Sequence, residues 1–259
     1  MCIPTKKYDV KMCKIISAKE IAKDTFDFTL FYPEFAQMAK PGQFAHIYLL
    51  GRTLRRPISI CDIDKKRGTL RIIFQIRGAG TAELAQFSEQ TFLDVLAPLG
   101  KGFTLKENTK KALLVGGGIG VPPLFATAKH YGENATVAVG FRDKDTVILE
   151  DDFKSIGVNL KIATDDGSYG HHGLVSDLFK DEKPDIIYAC GPMPMLKAVA
   201  KFAKENNIEC EISLEERMAC GVGACLGCAT RLLKDDGTEY NGHVCKDGPV
   251  FDYRKVVLD

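Results

Sequence analysis

The chain carries almost no net charge: 35 Lys and Arg stand against 34 Asp and Glu, a balance of +1 over 259 residues. The basic excess or stripe that marks nucleic-acid binding is missing, and bulk electrostatic attraction to a partner is excluded with it. Long apolar runs are missing too. The longest mostly apolar stretch, residues 112–126, contains four glycines and two prolines and is too short to cross a bilayer. The opening Met1-Cys2-Ile3-Pro4-Thr5-Lys6-Lys7 lacks the apolar core of a secretory leader. A cytoplasmic protein is expected, with no nucleic-acid and no membrane partner. There is no internal repeat, no low-complexity linker, and no Ser-His-Asp or paired-carboxylate constellation, so no side chain is assigned as catalytic acid, base or nucleophile. The adjacent His171 and His172 read as an exposed loop.

What remains is an ordinary globular composition, 45% hydrophobic and 27% charged, of a length that suggests two domains with a small appendage. Cysteine is the residue in excess. Nine are present, at positions 2, 13, 61, 190, 210, 220, 225, 228 and 245, and four of them fall in the last 40 residues. Disulfides are an odd use of thiols in a reducing compartment, so the clustering points to a metal centre.

The clustered four are Cys220, Cys225, Cys228 and Cys245, spaced C-x4-C-x2-C-x16-C. This is the plant-type spacing of four thiolates around a 2Fe-2S cluster. Three close cysteines need a tight wrapping loop, and Gly221, Gly223 and Gly227 permit unusual backbone angles there. Exposed amides of such a loop can donate to cluster sulfurs and tune the potential. A zinc site, which more often shows two C-x2-4-C pairs, is the alternative.

Residues 1–105 read as β-rich, with strand-like runs at 8–16, 25–31, 44–50, 70–76 and 92–96, and a short helix near 81–87. Several short strands at this spacing suggest a small barrel or sandwich. From about Lys110 the pattern alternates: strands at 112–115, 136–141, 159–164 and 185–189, helices at 122–130, 175–179 and 195–205. That alternation implies a parallel sheet. From Glu211 regularity fails, and a hairpin turn is expected at Asp235-Asp236-Gly237. The tail is too short for its own apolar core, which a metal site would replace.

Gly116-Gly117-Gly118-Ile119-Gly120 joins a strand to a helix, a turn at which phosphate can approach backbone amides. The strict G-x-G-x-x-G fingerprint is absent, because position 121 is Val. Cys190-Gly191-Pro192 follows another strand. Ligands bind at the carboxyl ends of parallel strands, so the two turns should line one crevice, with Cys190 beside a nicotinamide ring. In the β-rich part, Arg55-Arg56-Pro57-Ile58-Ser59 places an arginine where it can clamp a phosphate, and Gly78-Ala79-Gly80-Thr81 opens a helix. Each of these motifs is weak by itself.

Their order carries more. Arg-Pro-Ile-Ser, Gly-Gly-Gly-Ile-Gly, Cys-Gly-Pro and the cysteine cluster together resemble the ferredoxin–NADP reductase superfamily, a flavin-binding barrel followed by an α/β nicotinamide domain. Leu214-Glu215-Glu216-Arg217-Met218-Ala219-Cys220-Gly221-Val222-Gly223-Ala224-Cys225 and Val244-Cys245-Lys246-Asp247-Gly248-Pro249-Val250-Phe251 are similar to one family within it, the electron-transfer subunits of class 1B, NAD-dependent dihydroorotate dehydrogenases. The resemblance implies an FAD-binding β-barrel over 1–105, an NAD-binding α/β domain over 106–210 and a 2Fe-2S subdomain over 211–259. It places the flavin motif on Arg56, Pro57, Ile58 and Ser59, with Arg56 at the pyrophosphate and Ser59 near the reactive edge. Further flavin contacts fall on Ile73, Phe74 and Gln75 and on Gly80 and Thr81. The cluster ligands fall on the four clustered cysteines, and the two strand-end turns put the expected nicotinamide contacts on Gly116, Gly117, Gly118, Gly120, Cys190, Gly191 and Pro192. Ile58 stands where many superfamily members have an aromatic residue.

The function so implied is passage of electrons from dihydroorotate oxidation, on an FMN-bearing partner subunit, through a 2Fe-2S cluster and FAD to NAD+ in pyrimidine biosynthesis. The assembly implied is a heterotetramer of two catalytic and two electron-transfer subunits. Two alternatives stand beside it. One is the flavin subunit of a hydrogenase, sulfide dehydrogenase or ferredoxin-dependent transhydrogenase, some of which have Asp at the first ligand position, here Cys220. The other is a nucleotide-binding interaction module with a zinc-stapled tail. Arg142 and Asp143, after the second strand of the α/β part, argue opposite ways on NAD against NADP, so NAD comes from the resemblance. Cys2, Cys13, Cys61 and Cys210 are read as buried thiols.

Overall fold

The computed structural model describes residues 7–258, so Cys2 lies outside the described residues. Six strands close into an antiparallel barrel: β1 (Asp9–Ala22), β2 (Thr25–Phe31), β3 (Phe44–Tyr48), β4 (Arg56–Asp64), β5 (Thr69–Gln75) and β6 (Phe92–Leu99), in the order β1-β2-β5-β4-β3-β6. Alternate residues turn inward, as the two-residue period of a strand requires: Cys13 and Ile15 of β1, Phe28 and Leu30 of β2, and Ala45 and Ile47 of β3 share one core. Closure leaves no open sheet edge. The short helices α1 (Pro33–Met38) and α2 (Ala79–Leu84) complete this part.

β4 shows as strand-like only at residues 58–60 in the sequence, because arginines and Pro57 mask its start. It extends over Arg56–Asp64, pairing with β3 and, across an irregularity between Ile60 and Asp62, with β5.

The second part is a seven-stranded sheet. Its strands are β7 (Ala112–Gly117), β8 (Ala135–Phe141), β9 (Asn159–Thr164), β10 (His171–His172), β11 (Ile186–Cys190) and β12 (Glu209–Ser213), all parallel, and β15 (Val250–Asp252), antiparallel to β12. The order β10-β9-β8-β7-β11-β12-β15 reverses direction between β7 and β11. Connections run through α3 (Phe125–Tyr131), α4 (Glu150–Ser155) and α5 (Met193–Glu205). The helix expected from residue 122 begins at Phe125. Pro122–Leu124 forms a 3-10 turn instead, closed by the Leu124 amide donating to the Val121 carbonyl at 3.1 Å. His171 and His172 are exposed, as expected, but form a short edge strand and not a loop.

The tail contains the hairpin β13 (Ala229–Leu233) and β14 (Glu239–His243), turning at Asp235–Gly237 as the sequence indicates, and α6 (Val244–Asp247). It builds no core of its own. Cys228, Leu232, Val244, Cys245 and Phe251 pack with Leu113, Val115, Ile187 and Ile212 of the parallel sheet. Strand β12 crosses position 210, and β15 returns to the same sheet.

Barrel and sheet are fastened together. Arg71 of β5 holds Asp27 of β2 at 2.7 Å and also pairs with Asp152 of α4. Beneath that, Cys61, Ile73 and Phe103 join the core of Leu114, Leu124 and Tyr188. A buried relay runs from the Lys106 amide to the Tyr131 hydroxyl (2.9 Å), on to the Tyr188 hydroxyl (2.8 Å), which donates to the Thr104 carbonyl (2.8 Å).

Candidate functional site

The reversal between β7 and β11 produces a crevice at their carboxyl ends, where open α/β sheets bind ligands. Cys190 lies in register with Gly116, so the two turns expected from the sequence to share a crevice do meet. They interlock tightly: a Cβ on Gly120 would stand 2.5 Å from the Cys190 carbonyl oxygen, and one on Gly117 2.7 Å from Pro192 Cδ. Gly191, at φ +157°, lies against Gly117. Burial raises the Cys190 thiol to about 12, so it is a small wall and not a nucleophile. Pro122 and Pro123 bring no amide to this end, so an anion here would meet the backbone of Gly118–Gly120.

Facing the crevice, barrel and sheet enclose a cleft of about 280 Å³. Arg56, Pro57, Ile58 and Ser59 of β4 line one side, with Ile73, Phe74 and Gln75 of β5 and Thr81 of α2. The structure therefore brings together the three separated sequence segments. Gly80 completes them from behind: a Cβ there would overlap the Arg56 guanidinium, so the absence of a side chain at 80 is what lets Arg56 lie flat against α2. Thr81 Oγ1 accepts the amides of Arg77 (2.8 Å) and Gly78 (3.3 Å), so it braces the turn as well as lining the cleft. Arg55, the neighbour of Arg56, is turned away and bound to Asp94 at 2.8 Å and to the His46 carbonyl at 3.2 Å.

Sequence reasoning missed the rest of the lining. Phe44, Arg77, Ile119, the run Ser213, Leu214, Glu215 and Glu216, Met218 and Pro249 also line the cleft. The signal existed for Glu215 and Met218, which lie in the segment that carries the family resemblance, but β12 had to be placed in the sheet before that segment could be seen to cross the cleft. A donor arginine, a hydroxyl and apolar walls in one open cleft fit a flavin dinucleotide.

The thiol loop lies beyond Met218. Gly221 (φ +72°) and Gly223 (φ +79°) take the left-handed conformation that folds it back on itself. Cys220 Sγ accepts the amides of Val222, Ala224 and Cys225 at 3.5, 3.2 and 3.4 Å. Cys245 Sγ accepts the Gly223 amide at 3.2 Å, and Cys228 Sγ accepts that of Cys245 at 3.5 Å. Burial opposes ionisation of Cys220, but these amides and the adjacent Cys225 thiol outweigh it and lower its pKa to about 6. Cys245, buried beside Cys228, is pushed up to about 12. The thiols thus stand as two neighbouring pairs, 220 with 225 and 228 with 245. Among the described residues no three Cys, His, Asp or Glu side chains converge as a single ion would need. Paired thiols with amides already aimed at sulfur fit a two-iron cluster.

His46 of β3 packs on this loop and is fully buried. Burial first, then the Arg55 charge, lowers its pKa from 6.5 to about 4. A histidine depressed in this way binds fewer protons folded than unfolded. Its contribution is intact above pH 6.5 and is lost as pH falls toward 4. At 1.36 kcal/mol per unit, the loss is about 3 kcal/mol. The expected result is that His46→Gln flattens the acid limb of stability between pH 6.5 and 4, read by urea unfolding of both proteins; parallel curves would refute it. The remaining thiols Cys13, Cys61 and Cys210 are buried, as expected, and burial raises the pKa of each.

Comparison with known proteins decides among the sequence alternatives. Residues 215–257 match the family model described as the iron–sulfur cluster binding domain of dihydroorotate dehydrogenase B. A protein of Geobacillus thermodenitrificans (strain NG80-2), the electron transfer subunit of dihydroorotate dehydrogenase B (NAD(+)), is 45% identical over 94% of this chain and 97% of its own. One of the same description from Shouchella clausii (strain KSM-K16) is 42% identical over 94% and 96%. This chain belongs to the family of electron-transfer subunits of NAD-linked dihydroorotate dehydrogenase B. Members of that family are oxidoreductase subunits whose cofactors are FAD, a 2Fe-2S cluster and NAD. Among solved structures, a chain of an NADH-dependent reduced ferredoxin–NADP oxidoreductase superposes with a TM-score of 0.84 at 34% identity, over 96% of this chain and 91% of that one. Phthalate dioxygenase reductase, at TM-score 0.59 and 20% identity over 91% and 77%, shares the fold. The barrel-plus-parallel-sheet architecture is therefore ferredoxin-reductase-like, as the sequence motifs implied. No helix among the described residues is long and apolar enough to cross a membrane.

Proposed function

We propose that the chain links a dihydroorotate-oxidising catalytic subunit, bearing FMN, to NAD+, with two copies of each subunit in the working assembly. When bound, the cluster supplies one-electron steps, the nicotinamide a two-electron step, and the flavin the junction between them. The protein's own residues do the placing. Arg56, lying on Gly80, holds the flavin pyrophosphate by a charge-assisted hydrogen bond; Pro57, Ile58, Ser59, Ile73, Phe74, Gln75 and Thr81 shape the rest of its seat. The interlocked turns Gly116–Gly120 and Cys190–Pro192 form the nicotinamide crevice. Cys220, Cys225, Cys228 and Cys245 hold the cluster, and the amides of Gly223 and its neighbours stabilise charge on sulfur.

The observation that supports this reading is the convergence of the residues proposed for the three seats. Met218, which lines the flavin cleft, is two residues from Cys220, and Ile119 of the glycine turn lines the same cleft. The eight described cysteines are unpaired, which supports a reducing, cytoplasmic setting. The 34% likeness to the ferredoxin–NADP oxidoreductase chain supports a common cofactor frame, while Cys220 keeps the four-thiolate set that the dihydroorotate reading requires. The test is co-expression with the gene adjacent to this one. An FMN-bearing partner should co-purify, and the complex should make orotate from dihydroorotate with NAD+. Co-purification of a ferredoxin-linked enzyme without orotate formation would overturn the assignment.

A further inference from the structure

Among the described residues, three buried side-chain polar atoms have no hydrogen-bond partner, and two of them are the ring nitrogens of His46. Its place explains why they matter. Along β3, Ala45 and Ile47 point into the barrel core, so Phe44 and His46 point outward. Phe44 belongs to the apolar cluster that also holds Cys228 and Cys245, and it lines the cleft. The backbone of His46 is paired with Pro57, inside the flavin motif, and its ring stands edge-on to Phe44 with centroids 6.4 Å apart. On its other side it meets the thiol loop. A Cβ added to Gly221 would stand 2.5 Å from His46 Nδ1 and 3.2 Å from Leu99 Cδ1, so the residue following Cys220 rests directly on the imidazole.

We propose that His46 is a positioning residue: it seats the thiol loop against the flavin-motif strand and presents an imidazole N–H to the sulfurs which that loop gathers. The proposal rests on the reading of the loop as cluster-binding. A leucine would fill the same volume, but only a polar ring adds a donor beside the loop whose own amides converge on sulfur. Burial, and after it the charges of Arg55 and Arg56, outweigh a backbone contact with Arg55 that acts the other way and keep the ring neutral, carrying one N–H and one lone pair. A donor to a cluster sulfur stabilises the reduced, more negative state and raises its potential. The same contact fixes the separation between the loop and the strand that binds the flavin.

The test uses the intact, cofactor-loaded protein. Iron and sulfide are measured first: their absence sinks the cluster reading and is distinguishable from failure of the seat. With the five histidines labelled with 15N, pulsed EPR of the reduced cluster should show a 15N coupling. It should survive His243→Gln, the control for the histidine near Cys245, and vanish in His46→Gln. No such coupling would overturn the proposal. His46→Leu should keep its flavin and show a downward shift of the cluster midpoint with altered g values. His46→Gln, which retains an N–H, should move both back toward wild type. An unchanged midpoint in the leucine protein, or equal shifts in both variants, would show that the ring is only filler. If the leucine protein is recovered without flavin, the labelling result decides alone.

Discussion

Cys225→Ser abolishes iron binding and cuts electron delivery from the partner subunit by more than about 100-fold, the upper end of what loss of a mere supporting contact costs at a metal site. The thiol is lost from a loop whose geometry depends on it. Cys225 offers its amide to Cys220 Sγ at 3.4 Å, and its side chain lies beside the same sulfur. Serine keeps the amide, but its hydroxyl stays protonated near neutrality and is a poor iron ligand. The crevice proposed for nicotinamide is built elsewhere, from β7 and β11, and Arg56 and its neighbours in the cleft proposed for flavin come from β4 and β5. NADH-dependent reduction of an artificial acceptor should therefore stay near wild type. Iron analysis, flavin content and the two assays decide the matter. Loss of both activities with flavin retained would show that the cluster is not a separate branch of the path.

The contrast between the two halves of this prediction shows what the sequence makes legible. The cysteine spacing stands in one short segment, and so does each glycine turn, because local backbone demands are written locally. The barrel strands were visible where apolar and polar residues alternate, as in Phe28 and Leu30. They were hidden where function intrudes: β4 opens with Arg56 and Pro57, which oppose a strand reading yet are the residues that face the cleft. β12 was hidden because Glu209 and Glu211 flank Cys210, and only burial against β11 makes Cys210 and Ile212 a core pair. The Ser213–Met218 side of the cleft and the seat of Gly221 on His46 join residues more than 100 positions apart, and no local pattern announces such a contact. The contact of Arg56 with Gly80 is closer in sequence but equally unannounced: each residue is singled out by its own motif, and only the fold brings the two together.

That contact yields the second large effect. Arg56→Ala should weaken FAD binding by roughly 10- to 150-fold, since a hydrogen bond to a charged group contributes about 1.5–3 kcal/mol. Gly80→Ala should do nearly as much without touching Arg56 itself, because the new methyl would occupy the space of the guanidinium and drive it from the cleft. The guanidinium is the far end of a flexible side chain, so the fold should survive this displacement. The two substitutions remove one interaction, and their effects should not add: the double variant should bind FAD no worse than Arg56→Ala alone. Arg55→Ala is the control. Its guanidinium is committed to Asp94 and to the His46 carbonyl, so its loss should lower stability and leave flavin affinity near wild type. Flavin titration of the four apoproteins reads all of this. Additive losses in the double variant, or undiminished affinity in Gly80→Ala, would mean that Arg56 does not reach the flavin from this position.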